Sequence, residues 1–273
     1  METEGSDRKA MTLPVGQDEL MKALAAANPN IITVIVTGAP LDLRVVEPAS
    51  SAILVSWFNG SEGGNALADV LLGEIAPSGK LPFTFPVRLE DSPAYALKVY
   101  PQDERQKQDD IFVNLVDKKE GVQKGGPIAE YAEGIFVGYR WYDTKNVPVM
   151  YPFGHGLSYT TFKYADLQAK ADGKDINVEL SLSNTGKRDG EEVVQIYVSR
   201  PNSSIERPMK ELKGFQRVFL KAGETKAVKV QIPIEKLRHW DEATNGWKVE
   251  PGAVNVQAGG SSQDIKLSQT IEI

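Results

Sequence analysis

Apolar positions along the chain change period from helical to alternating. Residues 17–27, QDELMKALAAA, place Leu20, Leu24 and Ala27 at helical spacing among strong helix formers, which predicts a helix. Asn28-Pro29-Asn30 stops it and turns the chain. IITVIVT, from Ile31, is β-branched and nearly continuous, the pattern of a strand buried on both faces. AILVSWF at 52–58 predicts a second such strand. In NALADVLLG, apolar Ala66, Leu67, Val70 and Leu71 predict another helix, and Gly73 is placed to cap it. Helix, strand, strand, helix argues for part of a layered α/β sheet. Two buried strands do not close such a sheet, so further strands are expected upstream.

Residues 87–134 carry Pro, Gly and charge with little periodicity, including QDERQKQDD and DKKEGVQKGG, and read as a long loop. GIFVGYRWYD and YPFGHGLSYTTF follow, dense in aromatics and glycine. From about Lys163 the pattern is all-β. DINVELSLSN, EEVVQIYVSR, ELKGFQRVFL, KAVKVQIPI, GWKVE, AVNVQAG and IKLSQTIEI are predicted strands, separated by turns such as Asn184-Thr185-Gly186 and Pro251-Gly252. That spacing predicts an immunoglobulin-like or fibronectin type III-like sandwich. The fold class is therefore α/β, as a partial α/β sandwich, followed by an all-β sandwich. The expected division is 1–97 for the α/β part, 98–160 for the long loop and domain junction, and 161–273 for the β-sandwich.

Composition narrows the function classes. The formal net charge of −6 supplies no field that would gather nucleic acid or anionic lipid. The apolar runs are far too short to span a bilayer. There is no cysteine, so disulfides are excluded. METEGSDRKA has no apolar h-region and predicts no signal peptide. The compartment stays open, since a longer parent protein can be periplasmic or secreted.

Most candidate chemistry gives way to structural readings. Strand, glycines at 60, 63 and 64, then helix is the layout of a phosphate cradle, but neither G-x-G-x-x-G nor G-K-[ST] is present. Glu62 beside that turn reads as a helix cap or backbone acceptor. Ser61 and Ser158 lie outside G-x-S-x-G. The two histidines, His155 and His239, have no second histidine at ligand spacing, so no metal site is expected, and no cofactor is implied. Phe136, Tyr139, Trp141, Tyr142, Tyr151 and Phe153 suit either a sugar-stacking platform or junction packing, and packing is the simpler reading.

Several blocks carry a resemblance. Glu4-Gly5-Ser6-Asp7-Arg8, then Leu13-Pro14 and Gln17, resembles the acid/base loop of family 3 glycoside hydrolases. Residues 57–71, WFNGSEGGNALADVL, resemble the family's W-x-P-G-Q-E-G-G-N-A-L-A-D-V-L block, with Asn59 and Ser61 replacing the usual Pro and Gln. PSGKLPFTFP at 77–86, EGIFVGYRWYD at 133–143 and PFGHGLSYTTF at 152–162 resemble further blocks. So do Val249-Glu250-Pro251-Gly252 and Gly259-Gly260-Ser261-Ser262, and the resemblance covers nearly the whole chain. Blocks of this length in the right order are more specific than any single motif.

The resemblance implies a retaining β-glycosidase of β-glucosidase type, acting on terminal β-linked glucose of a β-glucoside or oligosaccharide. It makes Glu4 the general acid/base, a role that suits a carboxyl group. On its own six residues Glu4 reads as a solvated acidic terminus; the ordered downstream blocks favour the position homologous to the family's acid/base. A retaining enzyme needs a second carboxylate about 5–5.5 Å away. In the family that nucleophile is an aspartate in an S-D-W-type motif on a barrel. No S-D-W and no set of eight β/α repeats occurs here, and Asp7 and Asp69 lack a nucleophile's context. The expected partners are therefore the glycoside and an N-terminal barrel domain outside this sequence, and the isolated chain is expected to be inactive. The alternatives are a non-enzymatic β-sandwich module that binds carbohydrate or protein, and one chain of a split β-glycosidase.

Overall fold

The computed structural model describes residues 10–99 and 130–273. Helix α1 (Gln17–Ala27) leads to β1 (Ile32–Ile35), then α2 (Val46–Ala49), β2 (Ala52–Val55) and α3 (Gly63–Leu72). β1 and β2 form a parallel pair in register from Ile32 opposite Ala52 to Ile35 opposite Val55. α3 stops where expected: Gly73 takes the left-handed conformation at φ 79, which a side chain would strain. β3 (Phe85–Pro86), a 3-10 turn at Leu89–Asp91 and α4 (Pro93–Ala96) follow. The start of the expected loop is thus partly helical, with Pro93 at the first helical position, where its missing N–H costs nothing. QDERQKQDD and DKKEGVQKGG lie outside the described residues.

The expectation that both parallel strands are buried on two faces is corrected. Side chains alternate across a strand. Ile31 and Ile35 pack into a core with Met21, Leu43, Val46 and Phe85, while Ile32 and Val36 on the other face are 56% and 64% exposed. β2 buries no residue fully. In α1 it is Met21 that faces the core, and Leu20 and Leu24 are exposed. Among the described residues only one side of the pair is covered.

The chain then passes through α5 (Tyr139–Thr144) and β4 (Val149–Tyr151), which pairs with β3. The rest is a two-sheet sandwich. One sheet has the order β5 (Phe162–Ala171), β6 (Asp175–Asn184), β9 (Thr225–Pro233). The other has β13 (Ile265–Glu272), β12 (Ala253–Gly259), β7 (Gly190–Ser199), β8 (Glu211–Leu220). Ile176, Val178, Leu180 and Leu182 alternate inward from β6 against Val194, Ile196 and Val198 of β7. Leu182→Ala is expected to cost about 2–5 kcal/mol, since the fully buried side chain leaves a cavity. A lowered urea midpoint at unchanged slope checks this.

Two strand assignments change. β5 was not predicted, because its period breaks: Asp166 has φ 55 and the register with β6 shifts between Ala165 and Gln168. GWKVE lies outside both sheets. Its β11 (Gly246–Lys248) pairs only with β10 (His239–Asp241), in a hairpin where Trp240 stands opposite Trp247. The sandwich has seven strands, with β5 in place of GWKVE.

Glu250, just before β12, ties down the loop after β7. Its carboxylate accepts the Ser204 N–H at 2.6 Å and the Ser203 and Ser204 hydroxyls at 2.7 Å, with Arg200 and Arg207 beside it. These bonds, the Ser204 N–H foremost, hold its carboxyl down at about 2. A carboxyl depressed on folding adds stability above its unfolded value and loses it as pH falls through its folded one. Glu250→Gln is therefore expected to lower the melting temperature at pH 7. The gap should narrow from about pH 4.5 towards pH 2, which thermal melts across that range check.

Candidate functional site at the carboxyl ends of the parallel strands

Ligands of open α/β sheets gather at the carboxyl ends of parallel strands. Here those ends carry the loops after β1 and β2, joined by the segment that leads into α1. Glu4, Asp7 and Arg8 lie outside the described residues; the point from which their segment departs is described. Met11 is buried, and its carbonyl accepts the Asp42 N–H at 2.8 Å in the loop after β1. Leu13 packs against the α/β core. Gly16 then adopts φ 70 as the cap residue of α1. The L-P-x-x-Q spacing thus half-buries one side chain, turns and starts a helix.

The loop after β2 is held by its own side chains. Trp57 takes φ 53, unusual for a bulky residue, and its ring packs edge-on against Phe83 with centroids 5.2 Å apart. Ser56 donates its N–H to the Ile35 carbonyl at 2.8 Å, and Asn59 donates its amide to the Ser56 hydroxyl at 2.5 Å. Glycines 60, 63 and 64 follow, the last two at the start of α3. Of 60, 63 and 64 none has a left-handed φ; Gly63 is needed because a Cβ there would lie 2.3 Å from that of Asn59.

The described carboxylates near this edge are already engaged. Asp42 accepts two bonds from Arg44 Nε, at 2.9 and 3.1 Å, and the guanidinium holds its carboxyl below the usual range. Such a group is a poor general acid at neutral pH. Glu62 accepts the Asn65 amide at 2.6 Å and makes no side-chain bond to the backbone of α3, so the helix-cap reading does not hold. Phe58, in the loop after β2, is 70% exposed. Among the described residues no three potential ligands gather to hold a metal ion, and no helix is long and apolar enough to cross a membrane.

The other candidates fall in the domain junction. His155 stacks on Tyr151 at 5.1 Å, and burial, aided by Lys80, lowers its pKa and favours the neutral ring. His239 Nδ1 lies 3.3 Å from Arg207 Nη2. Phe136, Trp141 and Tyr142 form a buried cluster, and Tyr139 stacks on Phe153 at 4.7 Å, so these aromatics are packing. The glycine-rich blocks lock together: Leu81 donates its N–H to the His155 carbonyl and Gly154 returns one to Leu81, both at 2.8 Å. A Cβ on Gly156 would lie 2.2 Å from the Gly79 carbonyl oxygen.

Two sets of residues that sequence reasoning passed over complete the junction. Gln195 and Tyr197 are buried on the outer side of β7, where Gln195 Nε2 reaches the carbonyls of Gly154 and Gly260 at 3.1 and 2.6 Å. Lys80 and Glu192 form an ion pair at 2.8 Å. Glu192 falls in the inward phase of an otherwise apolar strand, and that was its readable signal.

The family model for the glycosyl hydrolase family 3 C-terminal domain matches residues 1–139. The chain belongs to glycoside hydrolase family 3. A model of the fibronectin type III-like domain matches 192–262 within the sandwich. Beta-glucosidase BoGH3A of Bacteroides ovatus is 42% identical over 98% of this chain and 34% of its own length. Thermostable beta-glucosidase B of Acetivibrio thermocellus is 39% identical over 100% of this chain and 33% of its own. Among solved structures, the family 3 beta-glucosidase of Bifidobacterium adolescentis superposes with a TM-score of 0.86 at 36% identity, covering 99% of this chain and 37% of that one. Beta-glucosidase 3B of Thermotoga neapolitana, in complex with alpha-D-glucose, gives 0.83 at 36%, covering 98% and 36%. The chain thus spans about a third of the length of the curated relatives it matches.

Proposed function

We propose that this chain is the C-terminal region of a retaining β-glucosidase, with Glu4 as general acid/base and the nucleophilic aspartate on a barrel domain outside this sequence. The observation that carries the reading is the family match across the segment that bears Glu4, joined to relatives named as beta-glucosidases over the whole chain. The segment's attachment at Met11, beside the loop after β1, supports it. So does the apolar face of β1: Ile32 and Val36 suit further strands and helices of a complete α/β sandwich. The division into an α/β part over 1–97, a junction over 98–160 and a sandwich over 161–273 belongs to the same proposal. The separate cores of the α/β part and the sandwich support it.

In the complete enzyme Glu4 would protonate the leaving glycosidic oxygen as the aspartate attacks the anomeric carbon. It would then take a proton from the water that releases the sugar. The isolated chain is expected to show no turnover of aryl β-glucosides or aryl β-xylosides, because it supplies one carboxylate of the two. Turnover that copurifies with the chain and disappears in Glu4→Ala would refute the need for a barrel nucleophile.

A further inference from the structure

One end of the β-sandwich, beside the 152–161 segment, holds a cleft of about 510 Å³ lined from both sheets. That volume lies within the usual range for small-ligand sites. Its base is a charge pair. Glu192 shares the inward phase of β7 with Val194, Ile196 and Val198, so its carboxylate ends the hydrophobic core. Lys80, from the segment after α3, places Nζ 2.8 Å from Glu192 Oε1 and 2.8 Å from the Gly156 carbonyl. The two side chains are only 13% and 11% exposed.

The pair is half used. An ammonium has three protons, and two of those on Lys80 are committed. Glu192 Oε1 also accepts the Val193 N–H at 2.7 Å, whereas no bond to Oε2 is found among the described residues. One donor and one acceptor stand side by side on groups whose charges cancel. The rings of Phe162 and Tyr164 line the same cleft, and at its rim Asp264 and Lys266 are themselves paired at 2.6 Å. Two hydroxyls in the wall, of Ser158 and Tyr164, are buried without a hydrogen-bond partner. Buried hydroxyls are nearly always satisfied in native proteins, so these two call for an explanation.

An anion entering here meets Glu192 and Asp264; a cation meets Lys80 and Lys266. A neutral polyol meets neither penalty. Each of its hydroxyls donates and accepts, so a vicinal pair answers Lys80 Nζ and Glu192 Oε2 together while its C–H face lies on the apolar walls. We propose that this cleft binds a neutral polyol of the monosaccharide class, and that the ligand strengthens the docking of the sandwich onto the segment around Lys80. The second part follows from the lining: the ligand touches both sides, and binding to the docked state stabilises it by mass action.

The test uses the full 273-residue chain, D-glucose as the probe and inorganic phosphate as the control anion, followed by amide chemical shifts. Glucose is expected to give saturable shifts at Gly156, Gly260 and Gln263 with a millimolar dissociation constant, and phosphate none. Tyr164→Phe should weaken glucose binding by about three- to tenfold while leaving the melting temperature unchanged or higher, because an unsatisfied hydroxyl is gone. Lys80→Met with Glu192→Leu replaces the pair by apolar groups of similar size, which folds tolerate, and should abolish binding. Glu4→Ala should bind as the parent does. Absence of saturable shifts up to about 100 mM glucose, a millimolar-range limit, overturns the proposal, as do equal shifts with phosphate or retained binding in the Lys80/Glu192 variant. Loss of binding in Glu4→Ala overturns it too, by assigning the sugar to the acid/base segment.

Discussion

Amides of β1 and β2 are expected to exchange with solvent at least about a hundredfold faster than those of β6 and β7 in the isolated chain. Exchange protection ranges from almost none to the global unfolding free energy, in cooperative units. The sandwich is one such unit: seventeen buried residues form its core among the described residues, and β6 is paired on both sides. Among the described residues the hydrophobic core of the α/β unit holds six buried side chains, and β1 and β2 pair only with each other. Among those residues Ile32 and Val36 stay in water, and each strand of the pair keeps one unpaired edge. A hundredfold ratio needs a difference of only about 2.7 kcal/mol, which the smaller core readily supplies. Deuterium uptake across 31–37 and 52–58, compared with 176–199, measures it. Equal protection at every protein concentration would show that the α/β part is complete without further strands. Protection of 31–37 that rises with concentration would point to a second copy covering the open face.

The sandwich was legible because its physics is local. In β6 each apolar residue from Ile176 to Leu182 alternates with a polar one, and one face is the core. β5 escaped for a local reason as well: the bulge at Asp166 shifts the phase between Tyr164 and Ala169. The α/β part was legible as to elements, and α1 spans the predicted 17–27. Its burial was not, because Leu20, Leu24, Ile32 and Val36 are apolar in sequence whether or not anything covers them. The junction lay between these cases. The pairing of Leu81 with His155 and Gly154 joins segments far apart in the chain, and no periodicity reports such a contact. The Lys80–Glu192 pair left only a charge in a core phase. The role proposed for Glu4 rests on resemblance, and Glu4 lies outside the described residues.

Glu4→Ala, made in the proposed complete enzyme, is expected to lower kcat/KM by about 10²–10⁴ on glucosides with poor leaving groups, the usual span of general acid–base catalysis. An alkyl alkoxide cannot leave without a proton. A dinitrophenolate leaves unaided, so for activated aryl glucosides the first step should survive nearly unchanged. The second step then becomes limiting, because water attacks the glycosyl-enzyme slowly when no base removes its proton. An initial burst of phenolate followed by slow turnover is the expected trace. Azide needs no base. It attacks the anomeric carbon, displaces the aspartate carboxylate and leaves as the β-glucosyl azide, so added azide should restore turnover of activated substrates. It should not restore turnover of alkyl glucosides, whose first step still lacks the acid. The engaged state of the described alternatives makes this pattern specific: Asp42 is held by Arg44 and Glu62 accepts from Asn65, so removing either should disturb local structure without a leaving-group dependence. A uniform loss across leaving groups in Glu4→Ala, with no response to azide, would make Glu4 a structural residue and move the acid/base role elsewhere.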